Sequence, residues 1–244
     1  MSYLRTENIV KRFDEEEVLK GLSFQISKGE TLSVLGKSGC GKTTLLKVIA
    51  GLIDPSGGSI WLENRLINSI KPADRGIVYL YQEPLLFPHL NVFENIAFGL
   101  RLRKVSQEEI SAKVTDMLNQ LGLAEHSSKK TDQLSGGQKQ RVAFGRALII
   151  NPAVLLLDEP FGNLDIEIRA SMQSFFKSIS EQFAITTLFV THDLKEALLM
   201  GDRLALMDDG LLTSYESKEA FIADAKTGVS KEMAFWNQLG NSNG

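Results

Sequence analysis

The nine residues GKSGCGKTT, Gly36 to Thr44, place three glycines and two lysines directly after the apolar run TLSVL. Such a stretch cannot fill a core. Gly36, Gly41, Lys42 and Thr43 fit the spacing G-x-x-x-x-G-K-[ST], with Lys37, Ser38, Gly39 and Cys40 as the variable positions and Thr44 following. Glycines let successive backbone N–H groups turn inward around an anion without interference from a Cβ. The helical pattern KTTLLKVIAGL that follows adds a positive N-terminal end. Lys42 would then reach the β- and γ-phosphates of a nucleoside triphosphate, and the Thr43 hydroxyl would ligand Mg²⁺. Cys40, placed where an anion and a helix N-terminus meet, is expected to carry a favoured thiolate.

A metal-assisted attack on a phosphate also needs carboxylates. LLLDEP supplies them: three leucines place Asp158 at the carboxyl end of a buried strand, with Glu159 next to it. Ligands of parallel sheets bind at such strand ends. Asp158 would hold Mg²⁺ through water, and Glu159 would polarise the attacking water. An aspartate–glutamate pair after a strand is more often a solvated turn, and the phosphate loop upstream is what favours the chemical reading.

These residues must be positioned by a scaffold, and the rest of the chain reads as one. Short β-branched or leucine-rich runs recur: LSFQI, TLSVL, SIWL, GIVYLY, AVLLLD, ITTLFVTH and RLALMDDG. Several are apolar almost throughout, as strands covered on both faces are. With helical patterns between them, such as IRASMQSFFKSISEQF, they predict a central, mostly parallel sheet flanked by helices. The strands within residues 2–35 are closely spaced, with the turn KGE between two of them, and predict an antiparallel sheet at one edge. From Val92 to Ala147 only helical patterns occur, in NVFENIAFGLRLR, SQEEISAKVTDMLNQLGL and a segment opening at LSGGQ. Ser106 followed by Glu109 predicts a capping box.

Composition bounds the function. The chain has 244 residues, 43% hydrophobic and 23% charged, as in ordinary soluble proteins, and a net charge of −3. No broad basic field advertises nucleic acid or an anionic membrane. A single cysteine rules out an internal disulfide and suits a reducing cytosol. No signal peptide is evident, and no run of about 18 apolar residues could span a bilayer.

The order of motifs resembles a known family. LSGGQKQRVAFGRAL, residues 134–148, carries the L-S-G-G-Q signature of ATP-binding cassette proteins, the nucleotide-binding subunits of ABC transporters. Gln82 in YLYQEPLLFPH looks like the Q-loop glutamine, Asp165 in GNLD like the D-loop aspartate, and His192 in FVTHD like the switch histidine. Phe13 in KRFDEEE stands where the family usually has an aromatic that stacks on adenine. The resemblance covers roughly residues 3–222 and implies ATP and Mg²⁺ as cofactors, with Gln82 joining Thr43 and Asp158 at the metal. It implies roles in hydrolysis for Glu159, His192, Gln82 and Lys42. It also implies a head-to-tail dimer, in which Ser135, Gly136, Gly137 and Gln138 of one copy close over the triphosphate held by the other, with Asp165 at the same junction. One departure stands out: Gly162 occupies the position where the D-loop usually has serine.

The fold implied is α/β: a P-loop NTPase core with a mostly parallel sheet, an antiparallel β edge subdomain and an inserted α-helical signature subdomain. A single ATPase domain over 1–244 would divide into a RecA-like core at about 1–91 and 148–225, a helical subdomain at about 92–147, and a fraying C-terminal tail at about 226–244. Leu85, Leu86, Phe87 and Phe93 exceed what a loop needs; they either fill the helical subdomain or form a groove for a cytosolic helix of a transmembrane permease. The wording of this stretch looks like importers of iron, polyamines, sulfate or sugars. Those relatives often add a C-terminal regulatory domain of about 100 residues, which this sequence is expected to lack. The expected place is the cytoplasm, peripheral at the inner face of the cell membrane and touching the membrane only through the permease, with no nucleic acid bound. The alternative is a soluble cassette of DNA repair or translation. It is disfavoured because no heptad run separates the phosphate loop from the signature, and only one cassette is present.

Overall fold

Strands buried on every side read as unbroken apolar runs, and three of them place the motifs above. A computed structural model describes residues 2–232; the part of the predicted tail at 233–244 lies outside the described residues. In chain order the elements are β1 (Ser2–Phe13), β2 (Glu16–Ser27), β3 (Thr31–Gly36), α1 (Lys42–Ala50), β4 (Gly57–Leu62), β5 (Arg65–Leu66) and β6 (Ile77–Leu80). They continue with α2 (Val92–Leu102), α3 (Gln107–Gln120), α4 (Gly136–Leu148), β7 (Val154–Asp158) and α5 (Ile166–Phe183). The last are β8 (Thr187–Thr191), α6 (Leu194–Met200), β9 (Arg203–Asp208), β10 (Leu211–Ser214) and α7 (Lys218–Ala223). Every residue of β3, β7 and β8 is buried, as strands covered on both faces must be.

The chain divides into two compact units, one up to Arg75 and from Ala184 onward, the other Gly76–Phe183. In the first, β1 pairs antiparallel with β2 and β4, giving the predicted antiparallel sheet. The turn KGE does not close a hairpin between β2 and β3. Gly29 takes a φ of 75° and β3 leaves to pair in parallel with β8 and β9, to which β10 adds an antiparallel edge. In the second unit β6 and β7 run parallel, and helices and turns lie between them from α2 to α4, with an isolated β-bridge of Lys130 to Asn91. Phe144, Phe161 and Phe176 form its aromatic core, with ring centroids 5.3–6.4 Å apart.

Caps set the helix ends. Ser106 accepts from the Glu109 amide at 3.3 Å, as expected, but the Glu109 carboxylate turns to Lys113, 2.7 Å away, so the observed bonds make half of the predicted box. The C-terminus of α1 is held more firmly. Gly51 ends it with φ 77°, and the buried guanidinium of Arg75 donates to the carbonyls of Val48, Ile49, Asn68 and Ile70 at 2.8–3.2 Å. A positive charge at this end also suits the helix dipole. A Cβ on Gly51 would stand 2.5 Å from that guanidinium, so the glycine is needed for space as well as for its turn.

Arg75→Ala should leave several buried carbonyls without donors and cost about 3 kcal/mol, lowering the melting temperature by roughly 6–12 °C. A thermal shift below about 2 °C would show that α1 is anchored by other contacts.

Candidate functional site

The phosphate loop hangs from the end of β3 and enters α1. Gly39 and Gly41 take φ values of 84° and 107°, and Gly41 begins the helix by accepting from the Leu45 amide at 2.9 Å. Gly36 has a different reason to be glycine: a Cβ there would meet the Met207 carbonyl oxygen at 2.6 Å and the Cys40 sulfur at 2.7 Å. Lys42 is buried beneath the loop and donates to the carbonyls of Gly36 and Lys37 at 2.6 and 2.9 Å. Lys37, Ser38, Gly39 and Thr43 are exposed above it, and Thr44 is half-buried. A cationic floor, an open backbone rim and a helix N-terminus are the parts a polyphosphate requires. Cys40 corrects an expectation. Its thiol is buried, and that burial pushes its pKa up more strongly than Lys42 pulls it down.

His192 belongs to the same unit. In the parallel register Leu35 pairs with Thr191, so Gly36 and His192 leave adjacent strands side by side. The turn carrying His192 is braced on both flanks. The Asp193 amide donates to Thr191 Oγ1 at 3.0 Å, and that hydroxyl donates to the buried Glu196 carboxylate at 2.8 Å. Phe13 ends β1 with its ring exposed, and the Lys11 ammonium lies 4.9 Å from the ring centroid.

In the other unit the carboxylates stand at a parallel strand end, where β6 and β7 pair Leu80 with Leu157. Asp158 is buried and accepts from the Tyr79 hydroxyl at 2.6 Å. Burial, together with this bond, pushes the Tyr79 pKa up, so the phenol stays a donor. Glu159 adopts φ 46° and is one of eight non-glycine residues with a left-handed backbone among the described residues. Gln82 comes to the same place and lies 3.4 Å from Asn163 Oδ1. A Cβ on Gly162 would stand 3.0 Å from the Gln82 amide nitrogen, so the missing serine leaves room for that amide. Asp165 caps α5 by accepting from the Ile168 amide at 3.0 Å.

The signature opens α4. Ser135 accepts from the Gln138 amide at 3.3 Å, while the Ser135 amide donates to Gln138 Oε1 at 3.0 Å, a complete capping box. Ser135 and Gly136 are exposed; Gly137 is buried, and a Cβ on it would stand 2.8 Å from Ile168. The structure thus gathers His192 with the phosphate loop, and Gln82, Asp158, Glu159 and Gly162 with one another. Sequence reading missed Tyr79, the bracing Glu196 and the box formed by Ser135 and Gln138; only the box had a local signal, in the spacing S-x-x-Q. Among the described residues there is no group of three or more His, Cys, Asp or Glu side chains that could hold a metal ion.

The sequence profile of the ABC transporter family matches residues 19–162, more than half of the chain. The chain belongs to the ABC transporter family. It is 46% identical over 224 residues to the spermidine/putrescine import ATP-binding protein PotA of Fusobacterium nucleatum, covering 91% of this chain and 60% of that protein. It is 41% identical over 215 residues to the sn-glycerol-3-phosphate import ATP-binding protein UgpC of Ruegeria pomeroyi, covering 88% and 61%. The trehalose/maltose import ATP-binding protein MalK of Thermococcus litoralis is 42% identical over 225 residues, covering 90% and 60%. The chain thus spans about three fifths of the length of these ABC relatives. Among the described residues no helix is long and apolar enough to cross a membrane.

Cys40 of this ABC chain is expected to react with maleimide at neutral pH at least about tenfold more slowly than a free cysteine, and to speed up as pH rises into the raised range where the thiolate forms. Intact-mass measurement of the labelling rate checks this, and a rate equal to that of free cysteine would show an open thiol.

Proposed function

We propose that this chain binds and hydrolyses ATP to energise import of a small solute through a membrane permease, working as a head-to-tail dimer at the cytoplasmic face. The observation that carries the reading is the phosphate loop, with Lys42 buried beneath an exposed backbone rim at the start of α1. The lysine would neutralise the β- and γ-phosphates, and the loop amides would share their remaining charge. Mg²⁺, when bound, would supply further neutralisation of the triphosphate charge. Thr43, Asp158 and Gln82 would hold it, with Asp158 oriented by Tyr79. Glu159 would take a proton from the attacking water, and His192 would face the γ-phosphate from the neighbouring strand end. Phe13 offers an exposed ring for adenine.

In the dimer, the exposed Ser135 and Gly136 at the start of α4 would meet the triphosphate held by the other copy, and Asp165 would lie at the same junction. For the permease, the apolar stretch after Gln82 is suited. Leu85 is exposed, while Leu86, Phe87 and Phe93 are half-buried, so none is spent wholly on the core. Buried Asn95 fixes this loop: its Oδ1 accepts from the Phe87 amide, and its Nδ2 donates to the carbonyls of Phe87, Leu90 and Asn91. A rigid apolar surface of this kind suits a short helix of a partner. The relatives named above are import subunits, which favours transport over DNA repair or translation. The solutes in their names range from polyamines to sugars, so the solute would be chosen by the permease.

Glu159→Gln tests the reading because it preserves shape and removes the proton acceptor. General-base catalysis is typically worth about 10²–10⁴-fold. Hydrolysis should therefore fall at least about a hundredfold while ATP binding survives, and the variant should accumulate as an ATP-bound dimer in gel filtration. Near-normal phosphate release would remove Glu159 from the base role, and a slow variant that stays monomeric with ATP bound would remove the dimer of the isolated chain. Lys42→Ala, by contrast, should abolish hydrolysis and severely weaken binding of a fluorescent ATP analogue; normal turnover would take the loop out of the mechanism.

A further inference from the structure

The capping box at the start of α4 does not end at its two members. Gln138 Nε2 lies 2.9 Å from Nε2 of His126, a residue in the short turn Ala124–His126. That turn is fixed by its own backbone, since the His126 amide donates to the Leu123 carbonyl at 2.9 Å and the Lys129 amide donates to the His126 carbonyl at 3.0 Å.

The direction of the side-chain bond follows from the backbone. The Ser135 amide can only donate, so the atom of Gln138 facing it must be Oε1. The other end of the amide, Nε2, then carries two hydrogens and points at the imidazole. Two donors cannot bond each other, so His126 Nε2 must offer a lone pair and the ring hydrogen must sit on Nδ1. Nδ1 itself is buried and has no hydrogen-bond partner among the described residues. The neutral ring leaves one unpaired donor there, and an imidazolium would add a second, facing the Gln138 amide hydrogens.

We propose that His126 is the positioning residue of the signature: a neutral Nδ1–H imidazole that accepts from Gln138 and so holds the box that aims Ser135. Three groups then stand in series. The imidazole fixes the glutamine amide, the amide holds the Ser135 backbone, and the Ser135 hydroxyl is held in turn by the Gln138 backbone. The inference rests on the hydrolytic reading above only for its effect on rate; the proton position stands apart from it.

The chain has three histidines, which makes the test direct. Long-range proton–nitrogen correlation on full-length protein labelled with nitrogen-15 histidine should show His126, assigned by its loss in His126→Gln, as the Nδ1–H form at neutral pH. An Nε2–H form would overturn the proposal whatever the enzyme does. For the functional half, glutamine at position 126 can place an acceptor near the Nε2 site, whereas phenylalanine cannot. His126→Phe should lower kcat for ATP hydrolysis about three- to tenfold with KM for ATP nearly unchanged, and His126→Gln should recover most of the loss. Equal rates in both variants and the wild type would defeat the positioning role while leaving the hydrolytic reading intact. Equal losses in both would mark a packing role and likewise defeat it. A wild-type chain that hydrolyses no ATP would defeat the proposed function, and the nitrogen spectrum would still decide the direction of the bond.

Discussion

The guanidinium of Arg75, sunk among carbonyl oxygens at the end of α1, is the interaction on which the phosphate loop depends. A helix that presents free N–H groups to an anion must have its opposite end fixed, or the rim moves with each fluctuation of the helix. Here Arg75 bonds the Val48 and Ile49 carbonyls of the last turn, is itself held by the carbonyls of Asn68 and Ile70, and with the left-handed Gly51 closes the C-terminal end. The N-terminal end is left to the glycines and to Lys42, which folds beneath them. Burying the arginine costs desolvation, and its multiple bonds offset that cost only because every acceptor is held by backbone geometry.

The same division between fixed and open ends recurs at the strands. β3 and β8 run parallel and finish together, so Gly36 and His192 leave the sheet from neighbouring positions. β6 and β7 do the same for Gln82 and the carboxylates. Around each exit, side chains rather than regular backbone complete the support: Thr191 and Glu196 on one side, Tyr79 on the other. Parallel strands thus deliver chemically useful residues to a common edge, and local hydrogen bonds decide which way they face.

Most of the scaffold was legible in the sequence because its signals are local. Runs apolar almost throughout marked β3, β7 and β8, and glycine spacing between a strand and a helix marked the loop. What escaped was long-range. Nothing near Tyr79 in the sequence announces that it bonds Asp158, and nothing near Arg75 announces Val48. Cys40 was misjudged for the same reason, since the reading weighed its neighbours in the chain and not its burial, to which the approach of distant Gly210, whose amide donates to the Cys40 carbonyl at 3.2 Å, belongs. The capping box was sought at Ser106 and found complete at Ser135, because Glu109 has a lysine one turn ahead to pair with and Gln138 carries no charge.

The left-handed backbone of Glu159 has a consequence for heat resistance. A side chain in this conformation costs of order 1–3 kcal/mol, a penalty that glycine at the same place would escape. A chain selected for melting temperature alone would therefore carry glycine at this turn. Glutamate stands there instead, so at the position after Asp158 the residue best suited to stability and the residue that the proposed chemistry needs are different.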